Sequence, residues 1–337
     1  MEAIQNSLCG VMYDSWSRIA RVLSRSRGSR DEGRAIMKVL ISGASGLVGT
    51  AVADALRKEG HTVARFVRPG GNALPGDVCW DPTSGTVDAA AMQGADAVIC
   101  LSGASVGEGR WSAARKKVLR DSRVDTTRVL ADSLGRLHQK PHVFIAASAI
   151  GYYGSRGDEI LTESSAAGND FIALLAREWE SESMRAESAG IRTVILRFAV
   201  ILSPKGGALA RMVLPFKLGA GGRLGSGKQW MSWVALDDVV QIIRGAIADE
   251  RMRGPVNVAA PGPVQNEEFT RILAKVLHRP AIFPAPAFAL RIALGEMADS
   301  LLLASQRVIP EKLRAAGYQF RFENLEAALR ALLGAKQ

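Results

Sequence analysis

Three cysteines in 337 residues, Cys9, Cys79 and Cys100, lie far apart, with no C-x-x-C pair and no histidine at ligand spacing. A disulfide framework and a structural metal site are therefore excluded, and reduced thiols in a cytoplasmic setting are expected. No uncharged apolar run approaches the roughly 18 residues that span a bilayer, so no membrane is expected as a partner. Basic residues exceed acidic ones, with a formal net charge of +10, yet they are spread along the chain and no aromatic-interleaved basic stripe appears. Nucleic acid is accordingly not an expected partner, and the charge reads as solubility plus attraction for a phosphorylated ligand. Histidines and tyrosines are also scarce, four of each. His61, His138 and His142 precede expected strands and His278 sits near the end of a late helix, which leaves little for histidine chemistry. The residue four positions after each tyrosine is Ser17, Arg156, Gly157 or Phe322, never lysine.

What is present is an apolar content of 47% in a chain long enough to bury a full α/β core and a smaller second lobe. The organising stretch is Lys38-Val39-Leu40-Ile41-Ser42-Gly43-Ala44-Ser45-Gly46-Leu47-Val48-Gly49. A β-branched apolar run stops at a glycine, two more glycines follow at three-residue spacing, and a helix-period pattern then runs to Gly60. Such a strand, turn and helix can receive a pyrophosphate at the helix N-terminus, with Gly43, Ser45, Gly46, Leu47 and Val48 as the binding turn. The spacing is G-x-x-G-x-x-G and differs from the G-x-G-x-x-G of the usual dinucleotide fingerprint.

A second strand, Thr62 to Val67, should end beside the adenosine ribose. No acidic residue stands there to grip a ribose 2′-hydroxyl; Arg65 and Arg68 do, which suits a 2′-phosphate, so NADP is favoured over NAD. The alternative is that both are solvated surface arginines. Asp81, at the exit of a short third strand, can accept from an adenine amino group. Leu101, Ser102 and Gly103 end a buried fourth strand and would let a cofactor lie across it. A long helical pattern follows from Trp111 to Leu137. Val143 to Ser148 delivers Ser148 to the carboxyl edge of the sheet, next to Tyr152 and Tyr153. Further helices over Phe171 to Glu187 and Leu236 to Asp249 alternate with strands over Arg192 to Phe198 and Val256 to Val258. The expectation is an α/β Rossmann fold, a doubly wound parallel sheet with a small, mostly helical C-terminal lobe. Residues 1–36 read as a disordered extension, 37–200 as the dinucleotide-binding domain completed by 234–260, and 201–233 with 261–334 as a lobe on the substrate side.

The chain resembles the extended short-chain dehydrogenase/reductase superfamily, and within it an atypical branch labelled epimerase-family or cell-division-inhibitor-like. The resemblance rests on Gly43 to Gly49, Trp80-Asp81-Pro82, Leu101 to Ala104, Arg110-Trp111 to Ser122-Arg123, and Ser148 to Gly154. It continues through Gly206-Gly207-Ala208, Gly225 to Trp233, Asp237-Asp238, Asn257 to Pro261, and Gln306 to Pro310. It implies an NAD(P)-dependent oxidoreductase or epimerase acting on a small polar metabolite, and, by analogy with the superfamily, a homodimer.

Superfamily members pair a Ser or Thr with a Tyr-x-x-x-Lys helix. The hydroxyl polarises the substrate oxygen, Tyr moves the proton, and Lys lowers the Tyr pKa and binds the ribose. Here Ser148 is in place, but the expected helix reads Asp170-Phe171-Ile172-Ala173-Leu174-Leu175-Ala176-Arg177, with neither phenol nor ammonium. Two repairs stay open: Tyr152 or Tyr153 supplies the phenol, with Arg177 or Lys228 as the cation, or Asp158 or Glu163 serves as base. Trp230, Trp233 and Trp111 are candidate walls of a substrate pocket, and Arg123 a grip for an acidic group. The competing expectation, from the missing Tyr and Lys, is a cofactor-binding regulator without redox turnover.

Overall fold

The computed structural model describes residues 36–334. The disorder expected for residues 1–36 therefore falls, up to residue 35, outside the described residues.

The chain opens with β1 (Lys38–Ser42), α1 (Leu47–Lys58), β2 (Thr62–Val67), β3 (Val78–Asp81), β4 (Thr86–Val87), the short α2 (Ala89–Met92) and β5 (Ala97–Cys100). After α3 (Ala113–Asp121) and α4 (Val124–Gly135) come β6 (Val143–Ala149), the two-residue β7 (Ile160–Leu161), α5 (Phe171–Ser188) and β8 (Arg192–Phe198). Together with β9 (Val200–Leu202), α6 (Gly207–Lys217), β10 (Trp230–Met231), β11 (Trp233–Ala235), α7 (Leu236–Ala248) and β12 (Gly254–Val258), these complete the sheet and begin the lobe.

The main sheet has eight strands in the order β12-β8-β6-β5-β1-β2-β3-β4. Every pair is parallel except the terminal β3–β4 pair. Parallel strands covered on both faces need apolar residues throughout, and β1 is buried from Val39 to Ser42. One face packs Val39, Ile41, Val143 and Ile145 against Val52 and Leu56 of α1 and Val239 and Ile243 of α7. The other packs Leu40, Val98 and Phe144 against Leu130 and Leu134 of α4. α1 is amphipathic at the helical period: Gly49, Val52, Ala53 and Leu56 are its buried residues. Because β2 and β5 flank β1 on opposite sides, the strand order reverses there. The carboxyl ends of β1 and β5 meet at this switch point, the crevice at which open α/β sheets bind ligands.

The single helix expected from Trp111 to Leu137 is instead two. α3 starts just after Ser112, whose Oγ accepts from Arg115 N, and ends at Asp121; α4 begins after Arg123. Ser122 Oγ accepts from the Ala104 amide at 3.0 Å and donates to the Leu119 carbonyl, so the break docks onto the loop after β5. A side chain that bonds backbone groups outside the helix competes with helix continuation.

The lobe adds β13 (Val264–Gln265), α8 (Asn266–Leu277), α9 (Ala287–Leu294), β14 (Arg307–Val308), α10 (Glu311–Ala315) and α11 (Leu325–Leu333). Its core joins both lobe segments: Leu209, Phe216 and Trp233 pack with Phe269, Leu273, Leu325 and Leu329. The stretch through α10 returns to the sheet, where Leu313, Tyr318 and Phe320 join the α1/α7 face.

Candidate functional site

The crevice is built on close backbone approaches. Gly43 sits at φ +70°, and a Cβ there would lie 2.6 Å from the Leu101 carbonyl oxygen. A Cβ on Gly49 would lie 2.3 Å from the Gly43 oxygen and 2.8 Å from Ala44 Cα. No side chain larger than hydrogen fits either place, so the turn, the start of α1 and the end of β5 are pressed together. The Gly46 amide closes the turn on the Gly43 carbonyl at 3.0 Å. α1 has no side-chain cap and no acidic residue in its first turn, so its first N–H groups and the positive end of its dipole face the crevice unneutralised. This is the donor set a diphosphate needs, and a cradle that a Cβ would fill. Gly207, at the start of α6, comes up against Leu47, which places the lobe over the turn.

Of the other residues singled out for a cofactor, Leu101 and Ser102 are half-buried and Gly103 exposed at the end of β5, beside the turn. Arg68 is exposed just past β2 and pairs with no carboxylate among the described residues. Arg65 is engaged elsewhere: its backbone and guanidinium both bond Asp77, which holds that carboxyl below its usual range against the opposing effect of burial. Asp81 is turned into a local loop, accepting from the Thr83 amide at 2.9 Å and from Ser84 Oγ at 3.0 Å; these bonds hold its pKa down.

The hydroxyls expected at the reacting centre lie in a buried polar network. Ser148, Arg197 and Asn257 stand abreast on β6, β8 and β12. Ser148 Oγ donates to Glu180 Oε1 at 2.6 Å; Glu180, on α5, takes two bonds from Arg197, at 2.8 and 2.7 Å. Arg197 also donates to Tyr153 Oη at 2.9 Å, and Tyr153 donates to Asn257 Oδ1 at 2.6 Å. All five side chains are buried, Tyr153 completely. Burial pulls the Arg197 pKa down, but the bonds and charge of Glu180 outweigh it, and the guanidinium is held above its ordinary range. Burial also dominates at Tyr153 and pushes its phenol up to about 12 despite the adjacent Arg197. Tyr152 differs. It is half-buried, its ring lies 3.5 Å from Arg197 Cζ, and its hydroxyl bonds to none of the described residues.

Glu180 and Arg197 escaped the sequence reading, although a signal existed, and Asn257 entered it only as part of a matching stretch. Glu180 falls on the apolar stripe of α5 with Ile172, Ala176 and Ser183, and Arg197 interrupts the apolar run of β8. A charge within each of two buried elements demands a partner, and the two supply each other.

Among the aromatic candidates, Trp233 is corrected: expected as a pocket wall, it is fully buried in the lobe core and bonds the Gly262 carbonyl at 2.9 Å. Trp230 is half-buried, bonded to Asp158 at 2.7 Å, with Arg307 4.3 Å over its ring. Trp111 is buried against Phe171, its indole N–H on the Val106 carbonyl at 3.0 Å. Arg177 and Lys228 are exposed. Glu163 accepts the Asn257 amide at 3.0 Å. Arg123, at the start of α4, lies against Gly103.

The profile of the NAD dependent epimerase/dehydratase family matches residues 39–259. The chain belongs to that family. Residues 285–332 match a domain of unknown function. An epimerase family protein of Mycobacterium bovis is 43% identical over 291 residues, spanning 86% of this chain and 96% of the relative. The structure of human epimerase family protein SDR39U1 (isoform 2) with NADPH superposes with TM-score 0.81 at 31% identity, covering 89% of this chain and all of that one. A nucleoside-diphosphate sugar epimerase from Corynebacterium glutamicum gives TM-score 0.74 at 36% identity; the match covers 90% of this chain and 59% of that longer protein. Among the described residues of this epimerase-family member, no helix is long and apolar enough to cross a membrane.

Proposed function

We propose that this family member binds NADP(H) in the crevice and works as an oxidoreductase or epimerase on a small polar metabolite. The observation that carries the reading is the cradle at Gly43 and Gly49, where added Cβ atoms would strike backbone at 2.6 and 2.3 Å. The turn from Gly43 to Val48 would hold the diphosphate, and Leu101 to Gly103 the chain of the cofactor that crosses β5. Bound there, the nicotinamide supplies hydride transfer. Arg68 favours the phosphorylated cofactor, since it is the one arginine of the β2 exit not tied to an acid. The NADPH in the structure of the human relative supports the same preference.

Proton transfer is assigned to Tyr152. Ser148 and Tyr153 have their hydroxyls engaged in buried bonds, whereas the Tyr152 hydroxyl is open and its ring rests on the Arg197 cation. In this role Ser148 and Tyr153 position the loop that carries Tyr152, and Trp230 is a pocket wall.

Calorimetric titration with NADPH and NADH, followed by turnover assays on carbonyl and sugar substrates, tests the proposal. NADPH should bind tighter than NADH, Arg68→Ala should abolish the difference, and Tyr152→Phe should stop turnover without changing NADPH affinity. Equal affinities in the parent chain would remove the phosphate argument. The second reading, a regulator that binds NADP(H) without turnover, is favoured by one observation, the burial of both Ser148 and Tyr153. Any turnover that Tyr152→Phe eliminates would rule it out.

A further inference from the structure

The loop between β5 and α3, residues 102–112, is held by guanidinium groups from three elements. Arg123 at the start of α4 donates to the Ala104 carbonyl at 2.9 Å, Arg115 of α3 to the Ser105 carbonyl, and Arg211 of α6 to the Gly107 carbonyl at 2.7 Å. Among the described residues a single carboxylate, Glu108, comes within 4 Å of these charges, 3.7 Å from Arg115 and 3.9 Å from Arg211, and it is 62% exposed. Arg123 meets no carboxylate among the described residues. Its other bond goes to the Leu119 carbonyl at 3.1 Å, and the Trp179 ring lies 5.3 Å from its Cζ. Burial, with the Arg115 charge added, pulls the Arg123 guanidinium down to about 10. The Nε of Arg115 is buried with no hydrogen-bond partner.

Two like charges held near each other in a half-buried place are unfavourable by themselves. One lacks a counter-charge and the other has only the exposed Glu108 at 3.7 Å, so an oxyanion that neutralises both would complete the arrangement. The position argues for the substrate as its source. The diphosphate cradle and Arg68 belong to β1 and β2, whereas Arg115 and Arg123 hold the loop that continues past Gly103, the last of the residues proposed to carry the cofactor.

Resting on the nicotinamide reading above, we propose that Arg115 and Arg123 form an anion subsite beside loop 102–112 that receives a carboxylate or phosphate of the substrate. The metabolite is then an organic acid or a phosphorylated compound. A purely structural clasp predicts no anion affinity at all.

The test is a titration of inorganic phosphate into the full chain saturated with NADPH, at constant ionic strength, followed by calorimetry and thermal shift. The expected result is saturable binding that Arg115→Gln and Arg123→Gln each weaken by about tenfold or more, with NADPH affinity held within about twofold. Arg123→Lys, which keeps the charge, should retain most of the binding. Arg123→Gln and Arg115→Gln each remove one loop contact and leave the other clasp in place, so a loss of phosphate binding common to both does not come from one broken contact. Absence of saturable phosphate binding, or Gln variants that bind phosphate as tightly as the parent chain, overturns the subsite. Phosphate that competes with NADPH, or Gln variants that lose NADPH as well, would give the pair to the cofactor and overturn its assignment to the substrate. A chain that bound phosphate through this pair but bound no NADPH would overturn the nicotinamide reading and leave the subsite standing.

Discussion

Replacing either member of the Glu180–Arg197 pair should be among the most damaging changes to this chain, and replacing both should be far milder. The pair makes two hydrogen bonds at 2.8 and 2.7 Å, with side-chain exposures of 9% for Glu180 and 3% for Arg197. Glu180→Leu leaves a guanidinium buried without its counter-charge; Arg197→Met leaves the carboxylate stranded with Ser148 as its remaining donor. Breaking such a pair costs about 3–5 kcal/mol, whereas exchange of the whole pair for packed apolar groups is near neutral. At roughly 2–4 °C per kcal/mol for a chain somewhat smaller than this one, each single variant should melt about 6–20 °C lower. The double variant Glu180→Leu/Arg197→Met keeps the Tyr153–Asn257 bond and loses the acceptor of Ser148. It should therefore recover all but about 2 kcal/mol of the parent stability. Urea unfolding of the four proteins gives the coupling energy directly. Single variants costing under about 1 kcal/mol, or a double variant as unstable as the sum of the two, would refute the view of this network as one charged unit.

Three further outcomes follow from the same geometry. Gly49→Ala should push α1 off the turn, because its Cβ would lie 2.3 Å from the Gly43 oxygen; a loss of about 1–3 kcal/mol and much weaker NADPH binding are expected, and calorimetry showing parent affinity would contradict the cradle. Tyr153 should stay protonated until about pH 12, against an unfolded value near 10, so the folded chain holds that proton more tightly. Its contribution to stability is complete below pH 10 and disappears as the pH rises towards 12; a parent-minus-Tyr153→Phe phenolate absorbance with a midpoint below 10 would contradict this. Arg65→Ala should lower the melting temperature by stranding the 5%-exposed Asp77 carboxylate, while Arg68→Ala should leave it unchanged, and equal effects would show the two arginines to be equivalent.

The strands, the order of helices and the glycine turn were legible because each is a local rule. Buried parallel strands must be apolar throughout, amphipathic helices repeat at 3.6 residues, and backbone pressed against backbone admits only glycine. Gly43 and Gly49 could be assigned from spacing alone, since their requirement lies within one strand, turn and helix. The family resemblance, likewise, was carried by short motifs along the chain.

Side-chain partnership was not legible, because partners lie far apart in the chain. Whether Ser148 faces a substrate or the interior depends on which face of β6 it occupies and on Glu180, 32 residues away, being brought over it. Tyr153 and Tyr152 are adjacent and chemically identical in sequence; only the placement of Asn257 and Arg197 makes one a buried strut and leaves the other's hydroxyl open. Trp233 and Trp230 divide in the same way between the lobe core and its surface. Local propensity and pattern thus determined the scaffold and the glycine turn of this chain. The roles of its polar side chains were decided by tertiary packing, since the cost of burying an unpaired charge or hydroxyl depends on what the rest of the fold brings within bonding distance.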